Sequence, residues 1–146
     1  MKKFAVKDHE ASWLPEGDWE MVFADEFDGD KVDTNKWECV RNPSLAFIED
    51  GKLHIRTDWN KKGDALDTCA LWSNESWTYG YFESRLRFTK NSGWWAAFWL
   101  CTRSCGNPFK DGFEIDIFED YYTRCDKPDG VPRPILDHNL HMFGSG

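Results

Sequence analysis

The sequence predicts an all-β fold, an antiparallel sandwich or jelly roll. Apolar and polar residues alternate with a period of two along several short segments, and helical spacing is hard to find over any long window. Glycine, proline, asparagine and aspartate separate these segments at regular intervals, which is typical of strands joined by turns. The 146 residues leave room for one domain, so we assign residues 1–146 to a single one.

The predicted strands begin with residues 19–27, where aromatic and β-branched side chains are frequent. The next predicted strand is 52–57, and the turn-forming pair Asp50-Gly51 precedes it. Residues 94–101 are apolar nearly throughout, as in a strand that is buried on both faces. The other predicted strands are 66–73, 78–88, 113–121 and 139–143.

Composition excludes some classes of partner. The 26 acidic and 18 basic side chains give a net charge of −8, which repels phosphate backbones and anionic lipid. We therefore expect neither a nucleic-acid partner nor a membrane. Aromatic residues make up 16% of the chain and include nine tryptophans. This content fits either a β-rich core of aromatic pairs or a groove lined with flat rings of the kind that sugars contact.

The N-terminal residues and the cysteines carry weaker signals. Residues 1–8 contain no hydrophobic stretch, so no signal peptide is predicted, and no apolar run has membrane-spanning length.

Five cysteines leave at least one unpaired within the chain. Buried thiols are the simplest interpretation, and a Cys105–Cys125 disulfide is an alternative.

Glu114, Asp116 and Glu119 form the sharpest local feature. On a regular strand Glu114 and Asp116 share one face, whereas Glu119 would point to the other. A β-bulge after Asp116 would return Glu119 to the same face. Carboxyl groups roughly 5–5.5 Å apart suit a retaining glycosidase, and the wider separation of inverting enzymes is an alternative. Clustering should raise one pKa toward the range of a general acid. The alternative is a solvated acidic strand face, which repulsion between like charges disfavours.

The order Glu-x-Asp-x-x-Glu after an aromatic-rich strand resembles glycoside hydrolase family 16. The bulged form of this motif is similar to laminarinases and to the enzymes that cleave algal galactans. The resemblance covers most of the chain and rests on the order of several segments. These segments are 19–29, 36–37, 50–53, 79–85, 93–100 and 140–141.

The resemblance implies a jelly-roll β-sandwich of two curved antiparallel sheets with a concave groove. It implies hydrolysis with retention, in which Glu114 is the nucleophile, Glu119 is the acid/base and Asp116 orients and tunes Glu114. A polysaccharide is then the partner, and no cofactor is required. Some members of the family hold a structural calcium near the turn that matches Gly51. For this chain, the resemblance supports a calcium site only weakly.

Five residues are candidates for binding the substrate on the same resemblance. The tryptophans would stack on sugar rings, and the histidine would border the catalytic carboxylates. These residues are Trp95, Trp99, Trp72, Asn42 and His141. Trp94, which flanks Trp95, should point into the core.

The most direct functional prediction is a retaining endo-β-glycanase that cleaves β-1,3-glucan (laminarin). The alternatives are a galactan hydrolase of the agarase or carrageenase type, a non-catalytic glucan-binding module, and an inactive fragment of the same fold. All-β sandwiches with a groove often run to roughly 200–250 residues, so we expect this chain to lack C-terminal strands. Exposed strand edges would then favour self-association or pairing with a complementary chain. Members of the family are usually exported.

Overall fold

The computed structural model describes residues 5–6, 9–10, 16–87, 95–102, 112–120 and 136–143. The regular elements in these ranges are strands, apart from one 3-10 turn at Pro43–Leu45. The strands are β1 (Ala5–Val6), β2 (His9–Glu10), β3 (Trp37–Arg41), β4 (Ala46–Glu49), β5 (Lys52–Ile55), β6 (Asp58–Trp59), β7 (Leu66–Asp67), β8 (Cys69–Ser73), β9 (Ala96–Cys101), β10 (Gly112–Asp120) and β11 (Leu136–Phe143). Every pairing is antiparallel, which confirms the predicted fold class. None of the described residues forms a helix long and apolar enough to cross a membrane.

The chain divides into two compact units, Met1–Tyr81 and Phe82–Gly146. The described residues of the first unit form the strand pairs β1–β2, β3–β8, β4–β5 and β6–β7. The turn between β4 and β5 has positive φ at both central residues, 51° at Asp50 and 63° at Gly51. Aspartate and glycine tolerate this conformation, which matches the twist of a two-residue hairpin. The turn predicted at Asp50-Gly51 is therefore present.

The strand predicted over 19–27 is wrong, because this segment is held by side chains instead of a β-ladder. The ring of Phe23 packs edge-on against Trp37, with centroids 5.2 Å apart. Asp25 accepts hydrogen bonds from Trp37 Nε1 at 2.8 Å and from the Phe27 backbone N–H at 2.9 Å. Phe27 has a φ of 54°, which interrupts an extended backbone.

Two other predicted strands also differ from the structure. Residues 78–87 are not a strand, and Phe88 lies outside the described residues. The segment 66–73 is two strands, because the chain changes partner at Thr68: β7 pairs with β6, and β8 pairs with β3. The carbonyl of Thr68 accepts a hydrogen bond from the Asn42 backbone N–H at 3.2 Å, which joins the break to the end of β3.

Cys39 and Cys69 lie on the neighbouring strands β3 and β8 and remain thiols. Burial, together with the nearby Cys39, raises the pKa of the Cys69 thiol to about 11. These two residues agree with the interpretation of buried thiols. Cys105, Cys125 and Trp94 lie outside the described residues, so the predictions made for them stay predictions.

In the part of the second unit that the structure describes, three strands form an antiparallel sheet in the order β11-β10-β9. The predicted strands 94–101, 113–121 and 139–143 correspond to these three, although β11 begins earlier than expected, at Leu136. The rings of Phe98 and Phe118 pack together with centroids 6.3 Å apart. Because β10 is the central strand of this sheet, side chains of both β9 and β11 can contact side chains of β10.

Candidate active site

A β-bulge interrupts β10 at the position predicted from the carboxylate spacing. On the β9 side, Asp116 lies opposite Trp99 and Phe118 lies opposite Phe98, so Ile117 is an extra residue. The register against β11 shifts over the same stretch, between Asp116 and Glu119. An extra residue reverses the alternation of side chains beyond it, which returns Glu119 to the face of Asp116.

The hydrogen bonds of Glu119 show where its carboxyl group lies. Its Oε2 accepts from Asn139 Nδ2 at 3.1 Å, and Asn139 is the residue of β11 directly opposite Asp116. Its Oε1 accepts from Trp95 Nε1 at 2.8 Å. Directly paired residues share a face of an antiparallel sheet, so Asn139 and Asp116 lie on one face and Glu119 reaches the same place.

His138 stabilises the bulge. Its ring Nδ1 forms a short hydrogen bond with the carbonyl oxygen of Ile117, the extra residue. A bulge disrupts the ladder locally, and this contact gives the Ile117 carbonyl a partner. The position of Glu119 therefore depends on a side chain of the neighbouring strand as well as on β10 itself.

The carboxyl groups differ in their exposure and share one electrostatic environment. Asp116 and Glu119 are buried, with 2% and 6% of their surface exposed, and Glu114 is half-buried. Burial raises the pKa of Glu114, and the charge of Asp116 raises it further. Burial also raises the pKa of Asp116, followed by the charge of Glu119. His141 opposes both increases, because a positive charge beside a carboxyl group favours its ionised form.

Asp116 is the most buried of these groups and has few partners. Its two oxygens are buried, and among the described residues no donor meets either with hydrogen-bond geometry. Nε2 of His141, a residue that is partly exposed, lies 3.1 Å from Asp116 Oδ2, a distance that suits an ion pair when the imidazole is protonated. His141 is also paired with Glu114 in the ladder, so the same imidazole lies near both carboxyl groups.

Glu114, Asp116 and His141 also have the chemistry of metal ligands. One ligand atom from each lies within 4.8 Å of the others. Two carboxylates and an imidazole would suit a divalent cation such as zinc. The same three groups can instead set the charge state of Glu114, because Asp116 raises its pKa and His141 lowers it.

The structure brings most of the predicted site residues into one sheet. Trp95 immediately precedes β9 and is 64% exposed, while Trp99 is half-buried opposite Asp116. Trp72 and Asn42 belong to the first unit. Trp72 is half-buried on β8 opposite Glu38. The side chain of Asn42 caps the 3-10 turn and donates a hydrogen bond to Asp67 Oδ2 at 2.7 Å, so its amide is engaged in local structure.

Sequence reasoning missed two residues of the site, Asn139 and His138. Asn139 could have been found, because it precedes His141 by one full period of a strand and therefore shares its face. His138 carried no such signal. Its contact with Ile117 depends on the bulge and on the pairing of β10 with β11, which are features of the assembled sheet.

Enzymes that cleave glycosidic bonds commonly use a pair of carboxyl groups beside the scissile bond, and this sheet presents three carboxyl groups around its bulge. The family described as "Glycosyl hydrolases family 16" matches residues 33–146, so the chain belongs to this family. Beta-porphyranase E from Zobellia galactanivorans is 29% identical over 139 residues, which cover 83% of this chain and 48% of that protein. The chain thus spans about half the length of this curated relative. No solved structure gives a significant match.

Proposed function

We propose that the chain carries the catalytic centre of a retaining endo-glycanase that hydrolyses a β-linked polysaccharide. The bulge in β10 is the observation that supports this most, since it brings Glu119 to the face that holds Glu114 and Asp116. A solvated acidic face would not need a buried Asp116 and a buried Glu119. Residues 1–146 then contribute to one catalytic domain.

Glu114 is the proposed nucleophile. It is the least buried of the three carboxyl groups, so a sugar can approach it. In the first step its carboxylate attacks the anomeric carbon while Glu119 protonates the departing glycosidic oxygen. In the second step Glu119 removes a proton from water, which attacks the same carbon and releases Glu114. The charge of Asp116 raises the pKa of Glu114, and the charge of His141 lowers it. The proposed reaction requires no cofactor.

Trp95 is the strongest candidate for binding sugar. Its indole N–H is bonded to Glu119, which fixes one edge of the ring, and 64% of the residue remains exposed. An indole that is held at its edge and has most of its surface exposed suits stacking against a pyranose. Trp99 is the second candidate, because it lies opposite Asp116. Trp72 and Asn42 are weaker candidates, and a structural calcium is not part of the proposal.

Two substrate classes have separate support. The relative named as a porphyranase favours an algal galactan for this chain. The bulged motif, which is also similar to that of laminarinases, favours β-1,3-glucan as the second candidate. A non-catalytic glucan-binding module is less well supported, because both glutamates are present and held close to Asp116.

The test measures release of reducing ends by the purified chain from porphyran, agarose, carrageenan, laminarin and mixed-linkage glucan. Glu114→Gln and Glu119→Gln should each lower the rate by about 10²-fold or more, because each removes a group that takes part in bond cleavage. The matched control is Glu49→Gln, which changes an exposed glutamate of β4.

The preferred polymer identifies the substrate class, and NMR of the first anomer released tests retention. A folded chain that cleaves none of the five polymers contradicts the proposal. So does a Glu119→Gln variant that cleaves its polymer as fast as the parent chain.

A further inference from the structure

Both oxygens of Glu119 accept a hydrogen bond, and the two donors come from opposite sides of β10. Trp95, which leads into β9, donates to Oε1 at 2.8 Å, and Asn139 of β11 donates to Oε2 at 3.1 Å. Glu119 is 6% exposed, so these donors replace water as its partners. The carboxyl group is thus held from both neighbouring strands.

The bulge makes this support necessary. Glu119 follows an irregular stretch of backbone, so the regular geometry of a strand does not by itself direct its side chain. Asn139 occupies the β11 position opposite Asp116, where the pairing is still regular. A hydrogen bond from this position ties the side chain beyond the bulge to the ordered part of the ladder.

The chemistry of the two donors suits a group that must both give and take a proton. Amide and indole N–H groups carry no net charge and do not titrate near neutral pH. They can orient a carboxyl group without placing a full positive charge beside it, as a lysine or arginine would. An acidic side chain, Asp137, already lies opposite Glu119, so another charge at position 139 would change the local balance.

We propose that Asn139 is a positioning residue that directs the carboxyl group of Glu119 toward the departing glycosidic oxygen. This inference rests on the proposed function, in which Glu119 is the acid/base. Asn139 touches neither substrate nor reacting atoms in this role and acts only through Glu119. Trp95 holds the other oxygen and in addition offers its face to the sugar, so Asn139 is the residue whose substitution isolates positioning from binding.

The test compares two substrates that differ in their need for an acid. One is the polymer that the parent chain cleaves, and the other is a 2,4-dinitrophenyl β-glycoside of its repeating unit, whose leaving group departs without protonation. Asn139→Leu keeps a similar volume and removes the donor. We expect kcat on the polymer to fall by about tenfold or more with little change in KM, within the range that acid catalysis supplies. The rate of glycosyl-enzyme formation from the dinitrophenyl glycoside, followed as the burst of dinitrophenolate, should stay within about twofold of the parent chain.

Two further variants keep the test decisive. Asn139→Asp preserves the shape of the side chain and replaces the donor with a charged acceptor, so it should lose more activity on the polymer than Asn139→Leu. Met142→Leu changes an 82% exposed residue of the same strand and should behave as the parent chain does. Equal losses on the two substrates, or no loss on the polymer in either Asn139 variant, would overturn the positioning role. Full polymer activity in Glu119→Gln would instead overturn the proposed function.

Discussion

At the scale of single residues, His141 has the widest influence on the site. Burial alone would favour the protonated forms of Glu114 and Asp116, and a nucleophile must be ionised. The imidazole lies 3.1 Å from Asp116 and opposite Glu114, and its charge lowers the pKa of both carboxyl groups. His141 therefore extends the ionised state of Glu114 to lower pH.

The variant His141→Gln tests this electrostatic role. Removing the imidazole removes a cause that lowers the pKa of Glu114, so that pKa rises. Because the nucleophile must be ionised, the acidic limb of the pH profile of kcat/KM should move to higher pH. The matched control is His54→Gln, a half-buried histidine of β5 in the first unit, which should leave the limb in place. An unchanged acidic limb in His141→Gln would show that the imidazole does not control Glu114.

The raised pKa values of individual carboxyl groups could be predicted from the sequence only in part. The spacing of the carboxylates predicts that clustering raises one pKa. Burial is the largest cause of the raised pKa of Glu114 and of Asp116. Burial depends on what the assembled sheet packs around each group, and the local pattern of charges does not contain this information.

At the scale of elements, the start of β10 is as constrained as its bulge. Gly112 has a φ of 153°, and a Cβ built there would lie 2.1 Å from Thr102 Oγ1. Thr102 also donates its backbone N–H to the Phe113 carbonyl at 3.2 Å. The two strands therefore lie close together where β9 ends and β10 begins. Only glycine meets both demands without displacing a neighbour.

Gly112→Ala should therefore destabilise the chain by about 1–3 kcal/mol, since it adds both backbone strain and a steric clash. Urea unfolding followed by tryptophan fluorescence measures this change. The matched control is Gly29→Ala, where the nearest atom to an added Cβ is the Lys31 carbonyl oxygen at 3.5 Å, an ordinary contact. If the two variants unfold at the same urea concentration, the close approach at Gly112 does not contribute to stability.

The elements themselves were predicted with mixed success for a physical reason. The strands around the site, β9 to β11, were predicted. The bulge was also predicted, because Glu119 lies five residues after Glu114 and a regular strand would place the two on opposite faces. Residues 19–27 and 78–87 alternate in the same way but form no strand. In contrast, β3 and β4 were not predicted. Alternation reports which side chains prefer burial, whereas a strand also needs a neighbour with free backbone groups.

At the scale of the whole molecule, the sheet of the second unit has one face that carries the carboxyl groups and one apolar face. Leu140 and Met142 of β11 lie opposite Ile115 and Phe113 of β10, on the face away from Glu114. Leu140 is 65% exposed, Met142 is 82% exposed and Phe113 is 47% exposed. Among the described residues, β11 is also an outer strand of its sheet, and such edges tend to pair with other chains.

We therefore expect the 146-residue chain to self-associate at micromolar concentration, or to pair with a complementary chain where one is present. Sedimentation velocity at several concentrations should show species larger than the monomer. The double variant Leu140→Lys, Met142→Lys places charges on the exposed face of β11 and should shift the distribution toward monomer. The control Met21→Lys changes a 52% exposed residue of the first unit and should have no such effect. A parent chain that remains monomeric at all concentrations contradicts the prediction.

The antiparallel β class, the bulge in β10 and the shared face of Glu114, Asp116 and Glu119 were predictable from the sequence. These properties follow from side-chain alternation and from the spacing of residues within one strand, so they are local. The groups that meet those carboxylates were not predictable in this way, because they depend on tertiary structure. Asn139 and Trp95 reach Glu119, and His141 reaches Asp116, because β9 and β11 pair with β10 in one register. That register joins residues far apart in the chain, and no local pattern specifies it.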